Sequence, residues 1–241
     1  MITGINAESF VNIKTKQDNP TMKATRKNLS HLLMSVTLAA LSLMTTLQSR
    51  AADYDPIVFV HGYSGSTIVN FSAMIQWFKD AGYPSNRLYY YTYNSLPGVA
   101  SGANTLKNKV NSVIAATGKS KVDIITHSMG GLVTRYYMKH LGGATKVKQV
   151  VNIATPHKGT AWAYLEPFTQ AAVDMRPGSS LLNSISGYYP GLNLYSTCDE
   201  IVIPNSSANV GTSSSIGCWG HIASTWSWGA FTKARDYVKP Y

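Results

Sequence analysis

A short stretch in the middle of the chain, Thr126-His127-Ser128-Met129-Gly130-Gly131, restricts the possible folds more than any other feature. It follows the β-branched run from Val122 to Ile125, and it leads into Leu132, Val133, Tyr136, Tyr137 and Leu141, which recur along one side of a helix. A serine caught between strand and helix, with small residues beside it, reads as a tight and strained turn that lifts the hydroxyl above a sheet. The usual form of this turn is G-x-S-x-G. Thr126 occupies the place of the first glycine, which is expected to be tolerated if the facing helix leaves room for the threonine methyl. A bare S-x-G would be no more than a helix N-cap, so the rest of the chain must supply partners for Ser128.

Strands alternate with helices around this turn. Ile57 to Val60 is a buried strand entering His61-Gly62, and Ser72 to Ala81 carries Met74, Ile75, Trp77 and Phe78 at near-helical spacing before a stop at Gly82. Leu88 to Tyr93 is strand-like. After Pro97-Gly98, Leu106, Val110, Val113 and Ile114 mark a helix ending near Gly118, and Val147 to Ile153 is a fourth strand. The pattern predicts an α/β fold: a mainly parallel sheet covered by helices on both faces, with functional residues at the carboxyl ends of its strands. Beyond Thr155 the pattern loosens. Leu192 to Tyr195 and Ile201 to Ile203 read as short late strands, Ser206 to Ser215 as loop, and Thr225 to Val238 as a closing helix.

The first 51 residues are read separately. Lys23, Arg26 and Lys27, the apolar run Leu32 to Leu47, and Ser49-Arg50-Ala51 form the three parts of an export signal. The run is roughly 15 residues, short of the roughly 20 that span a bilayer, so cleavage after Ala51 is expected rather than a transmembrane anchor. Residues 1–21 precede a second methionine, Met22, as an over-long start would. Residues 52–241 then form one catalytic domain, and a chain with 44% apolar and 13% charged residues can fill its core. From Ala52 onward 15 Lys and Arg stand against 9 Asp and Glu, net +6. These cations are scattered, which argues against a nucleic-acid partner.

A serine hydroxyl needs a histidine base, and the histidine needs a carboxylate to hold its tautomer. His140 lies on the helix that starts at the serine, so the candidates are His157 and His221. His221, in the glycine-rich Gly217-Cys218-Trp219-Gly220-His221, has room to bring an imidazole over the sheet edge; His157 is expected to shape the wall of the site. Among Glu166, Asp174, Asp199, Glu200 and Asp236, the acid is assigned to Asp199, which follows the strand-like Asn193 to Cys198. Glu200 is expected to point elsewhere. Cys198 and Cys218, the only cysteines, are expected to form one disulfide in an exported chain, tying the acid loop to the histidine loop. The oxyanion of ester cleavage needs backbone donors, expected from Met129 and from Tyr63 in the loop after the first strand. His61 reads as a loop-orienting hydrogen bonder, and His127 as a filler.

Val60-His61-Gly62-Tyr63-Ser64-Gly65-Ser66, the Ser128 turn, Thr155-Pro156-His157-Lys158-Gly159-Thr160, the Asp199 loop and the His221 loop together resemble the class 2 family of small secreted bacterial lipases, which includes the lidless Bacillus lipases. The resemblance covers about residues 55–228. It implies a minimal α/β-hydrolase fold without a lid domain and puts nucleophile, acid and base on Ser128, Asp199 and His221, with oxyanion donors Tyr63 and Met129. It implies carboxylic ester hydrolysis, with an acylglycerol or another lipid or polymer ester met at an interface by a monomer. Tyr63, Met129, Trp162, Leu165 and Trp219 are expected to line an open cleft. The competing readings are a cutinase-like polyester depolymerase and a non-catalytic binding protein of the same fold. No cofactor or metal is expected.

Overall fold

A computed structural model describes residues 20–52, 54–166 and 168–239. The chain divides into two compact units, Met1–Gln48 and Ser49–Tyr241. The first carries most of α1, a helix over Pro20–Ala52. The basic and apolar segments read from the sequence as an export signal fall on it, whereas residues 1–19 lie outside the described residues. Among the described residues no helix is long and apolar enough to cross a membrane.

The second unit is built on a six-stranded parallel sheet. Its strands are β1 (Ile57–Val60), β2 (Leu88–Tyr91), β3 (Val122–His127), β4 (Val147–Ile153), β5 (Leu192–Tyr195) and β6 (Ser213–Ser215), all parallel in the order β2-β1-β3-β4-β5-β6. Side chains alternate across the sheet, so each central strand must be apolar on both faces. Val58, Val60 and Ile124 pack under α3 (Val99–Thr117) and α4 (Met129–His140) through Leu106, Val110, Leu132 and Tyr137. Ile57, Phe59, Ile125 and Val151 face the opposite way, against Phe71, Met74 and Phe78 of α2 (Thr67–Asp80) and Phe231 and Ala234 of α7 (Trp228–Val238). Between them, α5 (Gln170–Met175) and α6 (Ser180–Ser184) are too short to leave a periodic signal.

Several boundaries differ from expectation for identifiable reasons. Helix α2 starts at Thr67 rather than Ser72 because Ser66 caps it, accepting from the Val69 amide at 3.3 Å. Ile68 and Val69 in its first turn are exposed, and so they break the apolar period that would mark the start. Ile201 to Ile203 is not a strand: the amides of Ile201 and Val202 donate to Asp199 Oδ1, at 2.9 and 2.8 Å, and so cannot join a ladder. Conversely, Ser213–Ser215, read as loop, forms the edge strand β6, its register set by pairing with Asn193 to Tyr195. The closing helix starts at Trp228, after a 3-10 turn over Ala223–Trp226.

Candidate active site

Ser128 stands where β3 ends and α4 begins, with φ 54° and ψ −130°. A non-glycine residue there is strained, and it persists only because the surroundings dictate it. They do so by close approach. A Cβ on Gly62 would come within 2.6 Å of Ser128 Cβ, one on Gly130 within 2.5 Å of the Val60 carbonyl, and one on Gly131 within 2.2 Å of Thr155 Oγ1. The Ser128 amide is tied to the Ile153 carbonyl of the neighbouring strand at 2.9 Å. Thr126, in the place of the first glycine, is buried. Its hydroxyl donates sideways to Asn152 Oδ1 on β4 at 3.1 Å.

The Ser128 hydroxyl lies 2.8 Å from His221 Nε2, and His221 Nδ1 lies 3.0 and 2.9 Å from the two carboxylate oxygens of Asp199. All three residues are buried. Burial pushes the Asp199 carboxyl up, but hydrogen bonds from the His221 ring and from the Val202 and Ile201 amides outweigh it and leave the acid below its ordinary value. The loops bearing Asp199 and His221 are stitched together several times. Cys198 and Cys218, both exposed, form a disulfide with Cα atoms 4.8 Å apart. Ser196 Oγ accepts from the Trp219 amide at 2.8 Å and donates to the Trp219 carbonyl, and Thr197 N donates to Gly217 O at 3.0 Å.

Three further histidines adjoin this region, each with a distinct task. His127 donates from Nε2 to the His221 carbonyl at 3.0 Å, with ring centroids 4.7 Å apart. Burial, and then the neighbouring His221, push its pKa down to about 3, so it is neutral and more than a filler. His61 bonds the Gly62 carbonyl through Nδ1 at 2.8 Å, accepts from the Tyr93 amide through Nε2 and stacks on Tyr93, which orients the loop after β1. His157 is not a wall of the site. It is buried beside Arg135, held well below its ordinary value by burial and then by that guanidinium.

Other candidates are accounted for elsewhere. Asp174 Oδ2 accepts the Val99 amide at 2.8 Å, serving as a remote cap for α3, whose N-cap Gly98 has no side chain. Asp236 pairs with Arg235 on α7. Glu200, expected to point away, instead accepts the His221 amide at 2.9 Å and borders the cavity. Arg135 was not singled out by the sequence. Its guanidinium, fully buried in α4, donates to the carbonyls of Ile185, Tyr188 and His157 and packs on the Tyr189 ring, fixing α4 against the segment after α6.

A cavity of about 550 Å³ opens over Ser128. Tyr63 and Trp162 line it, their rings 5.9 Å apart, as do Val69, Met175, Ile201 and Ile222. Met129, Leu165 and Trp219 are not among the lining residues. Met129 points down into the core beneath α4, while Leu165 and Trp219 lie on the surface. The amide of Met129 is the first of its helix and has no acceptor within it. Among the described residues no cluster of side chains suits a metal ion.

Comparisons place this arrangement among known proteins. The family model described as Lipase (class 2) matches residues 54–165. A triacylglycerol lipase of Burkholderia plantarii is 31% identical over 135 residues, 53% of this chain and 37% of that protein. Another, from Pseudarthrobacter phenanthrenivorans, is 32% identical over 120 residues, covering 47% and 36%. The chain therefore spans little more than a third of the curated relatives it matches. In structure it resembles the mature form of a Bacillus licheniformis lipase, with a TM-score of 0.65 at 17% identity over 77% of this chain and 92% of that one.

Proposed function

We propose that this chain, whose residues 54–165 group with the class 2 lipases, is a secreted carboxylic ester hydrolase of the lipase and esterase kind. The observation that carries the reading is the continuous contact from Ser128 Oγ through the His221 ring to the Asp199 carboxylate. In this reading Ser128 Oγ attacks the ester carbonyl carbon while its proton passes to His221 Nε2. Asp199 holds the opposite ring nitrogen as N–H and stabilises the imidazolium. The carbonyl oxygen becomes an oxyanion facing the Tyr63 and Met129 amides. Collapse expels the alcohol, which takes the proton from His221. A water deprotonated by the same histidine then attacks the acyl-enzyme, releasing the acid and returning the proton to Ser128.

Export is supported by the basic, apolar and small-residue segments from Met22 to Ala51, and by an exposed disulfide of the sort that persists in oxidising surroundings. The test is hydrolysis of p-nitrophenyl esters from acetate to palmitate by the parent and by Ser128→Ala, both checked for folding. Activity on long chains that vanishes in the variant is the expected result. Activity confined to short chains would make the protein an esterase, and a fully active variant or an inactive parent would overturn the proposal.

A further inference from the structure

The loop leaving β1 carries two consecutive amides, those of Tyr63 and Ser64, directly after Gly62, whose α-carbon lies against Ser128. Both residues line the cavity, but their amides are not equally free. The Ser64 amide donates to Ser95 Oγ at 2.9 Å, whereas the Tyr63 amide has no acceptor among the described residues. Ser64 also adopts φ 47°, a left-handed conformation that a serine keeps only where its surroundings dictate it. Ser95, 31 residues further along the chain and buried, is the partner that reaches it.

The Gly62–Tyr63 peptide bond is trans, so its N–H and its carbonyl point in opposite directions. The carbonyl is engaged on its own side. The Gly65 amide donates to it at 3.3 Å, and His61 Nδ1 lies 2.8 Å away. Because His61 Nε2 accepts from the Tyr93 amide at 3.2 Å, the ring proton sits on Nδ1, and that contact is a second donation to the same carbonyl. The Tyr63 N–H is therefore turned the other way. Close approach to Ser128 requires glycine at position 62, and glycine gives this peptide more freedom to rotate than any other residue would. Its orientation has to be fixed from the far side, through the next peptide, whose N–H is the one that Ser95 holds. The segment leaving β2, the strand beside β1, thus grips the loop from outside it, through Tyr93 on His61 and Ser95 on Ser64.

We propose that Ser95 is a positioning residue for the oxyanion hole: by accepting the Ser64 amide, it keeps the Tyr63 N–H turned to the ester over Ser128. The inference rests on the reading of the site as a serine ester hydrolase. It is tested by measuring kcat and KM on p-nitrophenyl butyrate for the parent, Ser95→Ala and Ser95→Thr, each checked for folding by circular dichroism. An oxyanion forms only after the nucleophile attacks, so a displaced donor acts on kcat and not on substrate binding. Ser95→Ala should lower kcat about ten-fold and leave KM within about two-fold of the parent. That loss is smaller than the roughly 10²- to 10³-fold that follows outright removal of an oxyanion donor, because the Tyr63 amide is still present. Ser95→Thr keeps the hydroxyl and should bring kcat back to within about three-fold of the parent. Parental kcat in the alanine variant, a loss that falls on KM instead, or a threonine variant no better than alanine would overturn the role of Ser95 while leaving the hydrolase reading intact. A parent inactive on this ester would overturn that reading, and this inference with it.

Discussion

The backbone amide of His221 donates to Glu200 Oε2 at 2.9 Å while the ring of the same histidine is held by Asp199, one residue earlier in the chain. Adjacent carboxylates thus grip the histidine at main chain and side chain. Removing the Glu200 carboxylate leaves the His221 loop with one fewer charge-assisted bond. Glu200→Ala should lower kcat about ten-fold with the fold unchanged by circular dichroism, and Glu200→Gln, which still offers an acceptor, should recover most of it. An Ala variant with parental kcat would show that this bond does not position the histidine.

The disulfide and the hydrogen bonds beside it divide the labour of holding the two loops. Replacing Cys198 and Cys218 together by alanine reopens a loop with a sequence separation of 20 and should cost about 3 kcal/mol in the chain-entropy model. Activity at 25 °C should nonetheless stay within two-fold, because the Ser196 to Trp219, Thr197 to Gly217 and Ile216 to Tyr195 bonds remain. Thermal unfolding and kcat measured on the same sample separate these effects. Loss of activity without loss of stability would contradict this division.

Asp123, at the start of β3 and far along the strand from Ser128, supplies a pH prediction. It is buried, its Oδ1 has no hydrogen-bond partner among the described residues, and it lies near Asp55, Lys148 and Tyr83. Burial, and then the charge of Asp55, push it up to about 7 from an ordinary 3.8. Between these values the unfolded chain has released the proton and the folded chain retains it, so stability falls as pH rises through this window. The loss is at most about 4 kcal/mol. Asp123→Asn should flatten this fall between pH 4 and 7 and raise Tm at pH 8; an unchanged pH profile would refute the assignment.

Gly62→Ala tests the close approach beneath the serine. The added methyl would lie 2.6 Å from Ser128 Cβ and 3.2 Å from its Oγ, so either the loop after β1 or Ser128 must move. A displacement of about 1 Å there is expected to cost on the order of 10²-fold in kcat with the sheet intact. Parental activity would mean that the loop yields freely.

Local signals in the sequence determined the alternation of strands and helices, the elbow at Ser128, and the parallel sheet buried on both faces. Each of these rests on residue spacing: Ile57 to Val60 and Val122 to Ile125 are strands wherever they pack, and Gly130 and Gly131 suit a crowded turn. The positions of Asp199 and His221 were also legible, as a carboxylate after a late strand and a histidine in a glycine-rich loop. The tertiary structure decided what depends on partners distant in the chain. Ser213 to Ser215 has no apolar signature and is a strand only because Asn193 to Tyr195 lies beside it. Ile201 to Ile203 looks like a strand and is not one, because Asp199 takes its amides. Glu200 faces His221, Met129 turns into the core, Arg135 binds carbonyls some 50 residues away, and Asn70 lies buried at the cavity. Such placements depend on which polar groups find each other after the sheet has formed, and spacing along the chain carries no record of that.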